Sequence, residues 1–214
     1  MYKLKCKCLN ITIHVQKGGE RKAEGKELVS ESCTASFFSG NILEIKLAVG
    51  GIKKEVDTLV RRSTAEDWDI YRCINCKTDV YAVKGFDRVL VSPQLEITLY
   101  HYTNKSSAQS IKKHKVIYGS TDETPKQSRR FGKGVYFTSI DPSNHPKSIL
   151  LNNYDDAGHV TNSRRLWAKI EWVIEVYIPI DEVEKAQGNR DVYLYGGDVD
   201  LTLYQHEIYS NPGR

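Results

Sequence analysis

Apolar and polar residues alternate along the first part of the chain, and this pattern predicts strands. A period of two, typical of a half-buried strand, occurs in residues 11–15 (ITIHV). Gly18 and Gly19 end this run, and the polar stretch over residues 17–31, rich in lysine and glutamate, predicts a loop or a poorly ordered segment. Strand-like runs return at residues 42–49, 69–72, 80–83 and 88–91. The first part of the chain is therefore expected to be mainly β.

The pattern is interrupted at Ser92 and Pro93, which lie between two apolar runs. A proline there ends a strand more readily than it continues one, so we place a boundary at residues 92–96. The predicted domains are residues 1–93 and residues 94–214. In the second domain the pattern predicts strands over residues 96–102, 134–139 and 169–178, with short strands toward the C-terminus.

A helix is predicted over residues 104–114. Asn104 is a favoured N-cap, and Ala108, Ile111 and Lys112 follow at helical spacing. Together with the strands, this helix predicts an α+β fold class. We expect a small β-sheet domain followed by a second β-sheet domain with a few helices.

Composition and charge narrow the class of protein. The chain has 214 residues, and 40% of them are hydrophobic, as in globular proteins. Its formal net charge of +4 is modest and does not by itself indicate binding to nucleic acid or to a membrane. Its sequence has no apolar run approaching the roughly 18 residues needed to cross a bilayer, and no apolar N-terminal segment before a small-residue cleavage site. We therefore expect a cytoplasmic or nuclear protein without a membrane partner.

All five cysteines lie in the first 76 residues, and four of them form two pairs. Cys6 and Cys8 form a Cys-x-Cys motif, and Cys73 and Cys76 form a Cys-x-x-Cys motif. Four thiolates delivered as two close pairs suit a tetrahedral structural zinc ion, because no coordination position stays open. The alternatives are reduced thiols without a metal and a redox-active Cys-x-x-Cys. Cys33 has no partner in this scheme and is interpreted as a small core residue.

The spacing of the four paired cysteines resembles the structural zinc site of the formaldehyde-activating-enzyme-like β folds. The resemblance covers these cysteines and a few flanking residues. It implies a zinc-stapled β-sheet module at residues 1–93, and it implies no enzymatic activity.

Two motifs in the second domain suit a clamp for a nicotinamide dinucleotide. The first is LYHYT at residues 99–103, and the second is GKGVYFT at residues 132–138. His101 can exchange hydrogen bonds with ribose hydroxyls, and Tyr136 offers a ring for stacking on nicotinamide. Gly134 allows the backbone to approach a ligand closely. The structural alternative is a hydrogen-bonded histidine at a strand end and a tyrosine in the core.

These motifs and the intervening helix resemble an ADP-ribosyltransferase domain, from about residue 95 to residue 211. The closest resemblance is to the His-Tyr-Asp subgroup, whose domains occur as polymorphic toxin modules, and a more distant one is to the poly(ADP-ribose) polymerases. The resemblance implies a split β-sheet and NAD as the substrate. It also implies that His101 binds the ribose beside nicotinamide and that Tyr136 stacks on the nicotinamide ring.

The same resemblance implies further contacts with NAD. Tyr102 and Thr103 of the first motif and Gly134 of the second are expected among the NAD-binding residues. Tyr154 is expected to supply the opposite wall of the nicotinamide site, as a second tyrosine does in the polymerases.

The third catalytic group should be an acid near the end of the domain. Asp200, in DLT at residues 200–202, is similar to the late motif of the His-Tyr-Asp subgroup and is the first choice. Glu207 competes because the preceding residues are similar to the last catalytic strand of the polymerases, and Asp198 is the third candidate. A carboxylate beside the ribose stabilises positive charge at the anomeric carbon as nicotinamide leaves. This argument fixes the residue type and leaves the three positions open.

A basic segment precedes the second motif and contains Lys126, Arg129, Arg130 and Lys133. One interpretation is a solvated loop. The other is a patch that contacts the pyrophosphate of NAD or a phosphorylated acceptor.

The leading hypothesis is a mono-ADP-ribosyltransferase that cleaves NAD, releases nicotinamide and transfers ADP-ribose to a protein or a nucleic acid. One alternative is an NAD glycohydrolase, which releases nicotinamide without a transfer product. Another is a catalytically inactive module that binds ADP-ribose or nucleic acid. A further hypothesis makes the first domain recognise the acceptor through basic residues that meet phosphates, namely Lys53, Lys54, Arg61 and Arg62.

Overall fold

The computed structural model describes residues 2–15, 20–24, 37, 41–46, 59–63, 68–85, 88–125, 130–154 and 164–213. Some predictions lie outside the described residues, namely those on Cys33, Lys53, Lys54, Lys126 and Arg129 and on the side chains of Arg61 and Arg62. Within the described part of the chain, no helix combines the length and the apolar character needed to cross a membrane.

The chain divides into two compact units. The first comprises Met1–Ile97 and Pro179–Asp181, and the second comprises Thr98–Ile178 and Glu182–Arg214. The structure is mostly β-sheet with few helices, which agrees with the predicted α+β class. The division into domains at residues 1–93 and 94–214 stays a prediction.

The first unit contains a six-stranded antiparallel sheet and further antiparallel strands outside that sheet. Its strands are β1 (Tyr2–Lys5), β2 (Thr12–Val15), β3 (Glu20–Glu24), β4 (Asn41–Lys46), β5 (Leu59–Ser63), β6 (Asp69–Cys73), β7 (Asp79–Lys84) and β8 (Arg88–Val91). The sheet has the order β3-β4-β8-β7-β6-β5. β1 pairs with β2, and Leu4 of β1 lies opposite both Ile13 and Ile97.

Most of the predicted strands of the first unit are confirmed. Strands β6, β7 and β8 cover the predicted runs. Strand β4 covers the run from residue 42 to Lys46, and the rest of that run lies outside the described residues. The predicted loop over residues 17–31 is wrong at Glu20–Glu24, which forms β3 and pairs with β4. Charged residues are common in edge strands, where the sheet satisfies backbone groups on one side only, so a polar sequence did not exclude a strand.

The second unit combines short sheets with three helices in its described residues. After β9 (Glu96–Thr103), which begins in the first unit, its elements are α1 (Lys105–His114), β10 (Val116–Ile117), β11 (Val135–Phe137), α2 (Pro146–Asn153), α3 (Arg164–Ala168), β12 (Trp172–Pro179), β13 (Val183–Lys185), β14 (Tyr193–Tyr195), β15 (Val199–Asp200) and β16 (His206–Ser210). β12 lies between β9 and β16, β14 lies between β11 and β13, and β10 pairs with β15.

Helix α1 begins where the sequence predicts. The Asn104 side chain accepts a hydrogen bond of 2.9 Å from the backbone N–H of Ser107 and so caps the first turn. Ala108 and Ile111 are buried, whereas Lys112 is exposed, so the predicted apolar face consists of the first two residues alone.

The side chains of β9 alternate between the two faces of its sheet. Tyr100 and Tyr102, each 5% exposed, pack in a hydrophobic cluster with Val173 of β12. His101 therefore points to the other face, where its ring meets Phe137 edge-on with 5.9 Å between centroids. This alternation decides which residues can act together with His101.

Candidate functional site

The four paired cysteines lie at two similar turns of the first unit. Cys6 and Cys8 occupy the turn between β1 and β2, while Cys73 ends β6 and Cys76 lies in the turn to β7. The second cysteine of each pair is followed by a residue in the left-handed region, Leu9 with φ 58° and Lys77 with φ 61°. The residue at each turn donates its N–H to the first cysteine's carbonyl, over 2.7 Å from Leu9 and 3.0 Å from Lys77. The two turns thus present their thiols in similar ways.

The four sulfur atoms of this cysteine cluster all lie within 4.8 Å of one another. The Sγ of Cys6 lies 3.5 Å from that of Cys8 and 4.0 Å from that of Cys73, and the Cys8 and Cys73 sulfurs are 3.7 Å apart. Four sulfurs placed tetrahedrally around zinc at about 2.3 Å are separated by about 3.8 Å. The cysteine cluster therefore has the donor set and the spacing for a metal ion. All four cysteines are free thiols.

Burial and hydrogen bonding shift the pKa values of three of these thiols in different directions. Burial raises the pKa of Cys6 to about 12 and also raises the pKa of Cys73. Burial alone would raise the pKa of Cys76 as well, but hydrogen bonds with Thr78 and with Cys8 outweigh burial and lower the Cys76 pKa to about 6. Cys76 is thus the thiol that these contacts hold most readily as a thiolate.

The two motifs of the second unit meet through their backbones. Tyr100 and Thr138 exchange hydrogen bonds of 2.8 and 3.0 Å, which bring β9 alongside the end of β11. One residue further along β9, Nδ1 of His101 lies 3.0 Å from the carbonyl oxygen of Tyr136. A carbonyl only accepts hydrogen bonds, so Nδ1 carries the proton and a neutral ring presents Nε2 as an acceptor. Burial lowers the pKa of His101 and so favours that neutral ring.

The Tyr136 ring is half-buried and held at both ends. Its hydroxyl donates to the carbonyl oxygen of Gly132, and its ring lies edge-on to Phe131 with 6.3 Å between centroids. Val135 and Phe137, its neighbours on β11, are buried. The ring of Tyr136 is therefore positioned by contacts with residues that shortly precede it in the chain.

Gly134 has a structural reason to be glycine. Its φ is +135°, and a Cβ at this position would lie 2.0 Å from the carbonyl oxygen of Tyr195. Its backbone exchanges hydrogen bonds of 3.1 and 2.9 Å with Ser120. We expected Gly134 to let the backbone approach a ligand closely. In the structure, the Gly134 backbone closely approaches strand β14.

Two of the tyrosines predicted to contact NAD lie away from His101. Tyr102 is buried in the cluster on the opposite face, and its hydroxyl donates to the carbonyl oxygen of Ile140 over 2.9 Å. Tyr154 packs against the same cluster, with the ammonium of Lys169 4.4 Å from its ring centroid. The structure does not bring either side chain together with His101. Thr103, two residues after His101 on β9, shares its face.

Asp200 lies on the short strand β15 of the second unit, and Asp198 directly precedes this strand. Asp200 is exposed on β15, opposite Val116 of β10, and its Oδ1 accepts hydrogen bonds from the hydroxyl (2.7 Å) and the N–H (2.9 Å) of Thr202. These bonds lower the pKa of Asp200 and keep it ionised. Asp198 accepts a 2.7 Å bond from the N–H of Gly119. Both carboxylates therefore have local structural partners.

Glu207 lies on the face of the sheet that is opposite to His101. In β16 it stands across from Glu175 of β12, and its neighbour Tyr209 stands across from Val173. Val173 and Tyr209 belong to the cluster of Tyr100 and Tyr102. Because facing residues of paired strands point the same way, Glu207 shares their side and not that of His101.

The basic segment separates into two parts. Lys133 forms an exposed ion pair of 2.5 Å with Asp122, which stabilises little. The guanidinium of Arg130 lies 5.9 Å from the centroid of the Phe131 ring, and that of Arg190, from a distant loop, lies 5.6 Å from the same centroid. Sequence reasoning missed Phe131 and Arg190, because no spacing links residues 59 positions apart in the chain.

A buried carboxylate that the sequence did not single out fixes this loop. Oδ2 of Asp191 accepts hydrogen bonds from the Thr138 hydroxyl (3.0 Å) and from the N–H and hydroxyl of Ser139 (2.8 Å each). The backbone of Asp191 also exchanges bonds of 2.7 and 2.9 Å with the Asn152 side chain. The end of β11, helix α2 and the loop before β14 are thereby joined.

Comparison with protein families gives one finding for this unit. Residues 99–200 match the family model described as "HYD1 signature containing ADP-ribosyltransferase". The match indicates an ADP-ribosyltransferase domain and includes His101, Tyr136, Asp198 and Asp200, while the cysteine cluster and Glu207 lie outside it. Neither the comparison with curated proteins nor that with solved structures gave a match.

Proposed function

We propose that the second unit is a mono-ADP-ribosyltransferase that cleaves NAD and transfers ADP-ribose to a protein or nucleic acid. The observation that carries this proposal is the hydrogen bond between His101 and the Tyr136 carbonyl. It joins the two motifs inside the segment that matches the family model. A transferase of that family uses NAD as its substrate.

The roles follow from the hydrogen-bond directions. The Nδ1–H group of a neutral His101 donates a hydrogen bond to the carbonyl oxygen of Tyr136. Its Nε2 can then accept a hydrogen bond from a hydroxyl of the ribose beside nicotinamide. The ring of Tyr136 stacks on nicotinamide, an interaction of about 0.5–1.5 kcal/mol beyond burial. We assign to Thr103, on the face of His101, a contact with the same ribose.

The reaction breaks the bond between the anomeric carbon and the nicotinamide nitrogen. The electron pair of this bond leaves with nicotinamide, and positive charge develops on the ribose. A nucleophile of the acceptor then bonds to the anomeric carbon and loses its proton to solvent or a base. An ionised carboxylate stabilises the charge, and we assign that role to Asp200, which ends the matched segment.

Isotope transfer tests the proposal. Wild-type protein incubated with NAD labelled in the adenylate part and with cell proteins or nucleic acid is expected to label an acceptor, and His101→Ala and Tyr136→Ala are expected to lose the label. Matched controls are His14→Ala and Tyr71→Ala, which lie in the first unit and outside the segment that matches the family model. Equal labelling by the wild type and by both site variants would contradict the proposal.

A second candidate is a module that binds NAD or ADP-ribose without cleaving it. It is supported by the placement of the acids, since Glu207 faces away from His101 and Asp200 is bound to Thr202. Release of nicotinamide without acceptor labelling indicates a glycohydrolase. Micromolar binding of ADP-ribose by calorimetry, with no nicotinamide released, indicates a binding module.

For the first unit, we propose that the cysteine cluster binds one structural zinc ion through Cys6, Cys8, Cys73 and Cys76. The sulfur separations of 3.5 to 4.0 Å support it, because they bracket the edge length of a zinc tetrathiolate. A redox role would need two of these sulfurs to come within about 2.05 Å. Elemental analysis of the purified chain is expected to give one zinc per molecule.

A further inference from the structure

A second histidine lies on the face of the sheet that carries His101. His206 begins β16 and stands across from Val176 of β12. Val173 of β12 belongs to the cluster on the face opposite to His101. Because side chains alternate along a strand, Val176 and the facing His206 point to the other side, which is that of His101. Strands β9, β12 and β16 are consecutive in one sheet, so the two histidines share one face of it within the second unit.

The ring of His206 is oriented in the same way as that of His101. Its Nδ1 lies 3.0 Å from the carbonyl oxygen of Tyr204. Since a carbonyl only accepts hydrogen bonds, Nδ1 carries a proton, and the neutral ring presents Nε2 as an acceptor. The described part of the chain offers this Nε2 no hydrogen-bond partner, and the side chain is half-buried. An oriented acceptor atom is thus left for a ligand.

Tyr204, whose carbonyl orients His206, is itself fixed by its side chain. Its hydroxyl donates to the carboxylate of Glu182 and lies 3.1 Å from the hydroxyl of Tyr195. The rings of Tyr195 and Tyr204 also meet edge-on, with 6.3 Å between centroids. Tyr195 lies on β14, which pairs with β11, the strand of Tyr136. Both histidines are therefore connected to the sheet that carries Tyr136.

The two histidines also lie near each other along the strands. Glu207, next to His206, stands across from Glu175 of β12. Burial and then the charge of Glu175 raise the pKa of Tyr100, which precedes His101, so Glu175 lies close to Tyr100. Each histidine is thus about one residue from the row that these groups form. With strands about 4.8 Å apart and about 3.3 Å per residue, the two histidine Cα atoms are separated by about 10–12 Å. Side chains that point to one side from this distance can contact a bound ribose and the group that attacks it.

We infer that His206 is the base that takes the proton of the acceptor nucleophile, with Nε2 as the accepting atom. This role rests on the proposed function. In that reaction the bond between the anomeric carbon and nicotinamide breaks, its electron pair stays on the nicotinamide nitrogen, and an oxygen or nitrogen atom of the acceptor bonds to the anomeric carbon. The proton that this atom loses moves to Nε2 of His206, and the imidazolium formed releases it to water.

The role of His206 determines which acceptor groups fit. A hydroxyl or an N–H group must lose a proton when it bonds to the anomeric carbon, whereas a carboxylate has none to lose. A base on the face of His101 therefore serves only the first class. We expect the acceptor group to be a hydroxyl or an N–H group.

His206→Asn separates the two functions of the ring. The asparagine amide keeps an N–H near the position of Nδ1, for the bond to Tyr204, and has no counterpart of Nε2. The full chain is incubated with NAD labelled in the adenylate part and with the cell proteins or nucleic acid that the wild type labels. We expect the ratio of labelled acceptor to released nicotinamide to fall about a hundredfold in the variant, because NAD is still cleaved and water captures the ribose. His14→Asn, an exposed position of the first unit, is the matched control.

Each outcome bears on one claim. An unchanged ratio in His206→Asn overturns the role of His206 and leaves the transferase standing. Loss of nicotinamide release together with labelling also overturns this role, since the residue then serves the fold or NAD cleavage. Rapid loss of the label in neutral hydroxylamine, which cleaves esters, overturns it as well, because the acceptor is then a carboxylate. A wild type that neither labels an acceptor nor releases nicotinamide overturns the proposed function, and the role of His206 with it.

Discussion

The cysteine cluster and the candidate site of His101 and Tyr136, here called the His101 site, bring their functional groups together in different ways. In the cysteine cluster, the chemically active atoms themselves converge, with all four sulfurs within 4.8 Å. At the His101 site, the backbone converges instead, and the side chains are oriented by bonds such as that from His101 to the Tyr136 carbonyl. The first arrangement is predicted to need its ligand for stability, and the second to be stable without one.

The difference also explains how well each site was predicted. A metal site of this kind needs two short motifs, and each motif determines its own turn, as the left-handed Leu9 and Lys77 show. A transferase site needs a third group from a distant strand. The candidates Asp200 and Glu207 occupy different elements, and no local spacing distinguishes them.

The largest effect is expected on removing the proposed zinc ion or one of its ligands. Cys73→Ser, or removal of zinc by a chelator, is expected to unfold the first unit, because binding of structural zinc contributes on the order of 10 kcal/mol to small domains. Hydrogen exchange measured by mass spectrometry should show lost protection in β6 and β7 and retained protection in α1. Cys33→Ser is the matched control. Full protection of β6 in zinc-free protein would show that the first unit does not depend on a metal.

A backbone substitution tests whether the His101 site is built without a ligand. Gly134→Ala places a Cβ against the carbonyl oxygen of Tyr195 at positive φ, so we expect a loss of at least about 2 kcal/mol in the free energy of unfolding. Urea denaturation of the second unit measures it. Gly196→Ala is the control, since a Cβ there meets nothing within 4 Å. Equal effects of the two substitutions would contradict the described packing of β11 on β14.

The N-cap of α1 lies directly after β9, the strand that carries His101. Removing this cap therefore tests how much the local sequence stabilises the structure next to His101. Asn104→Ala removes the bond to the Ser107 N–H and is expected to cost about 1 kcal/mol of unfolding free energy. The control is Gln109→Ala, an exposed position within α1. A cost near zero in thermal or urea unfolding would show that tertiary contacts alone hold the start of this helix.

The smallest expected effect is that of pH on His101. Its pKa in the folded protein lies below the ordinary 6.5, so the unfolded chain binds more protons between these two values. The stability that the neutral ring contributes is complete above pH 6.5 and is lost as the pH falls toward the folded pKa. Thermal unfolding from pH 7.5 to pH 5 measures it, and His101→Gln should flatten the decline. An identical decline in this variant would show that His101 does not cause it.

Local patterns predicted much of the fold. Strands β6 to β9, helix α1 and its Asn104 cap agree with alternation, spacing and cap chemistry. The misprediction at β3 has a clear cause, because the pairing partner of an edge strand, and not its own apolar content, determines whether it forms. Short strands such as β14 and β15 also escape any pattern, since two or three residues carry no period.

The sequence by itself determined the residue types of both sites: four thiols in two close pairs, and a histidine and a tyrosine in two motifs. Only the tertiary structure decided that the four sulfurs meet, that Tyr102 belongs to the core, and that Glu207 faces away from His101. It also placed Arg190 beside Phe131. The physical reason is that spacing along the chain fixes turns and faces within one element, whereas strand pairing between distant segments determines which faces are shared.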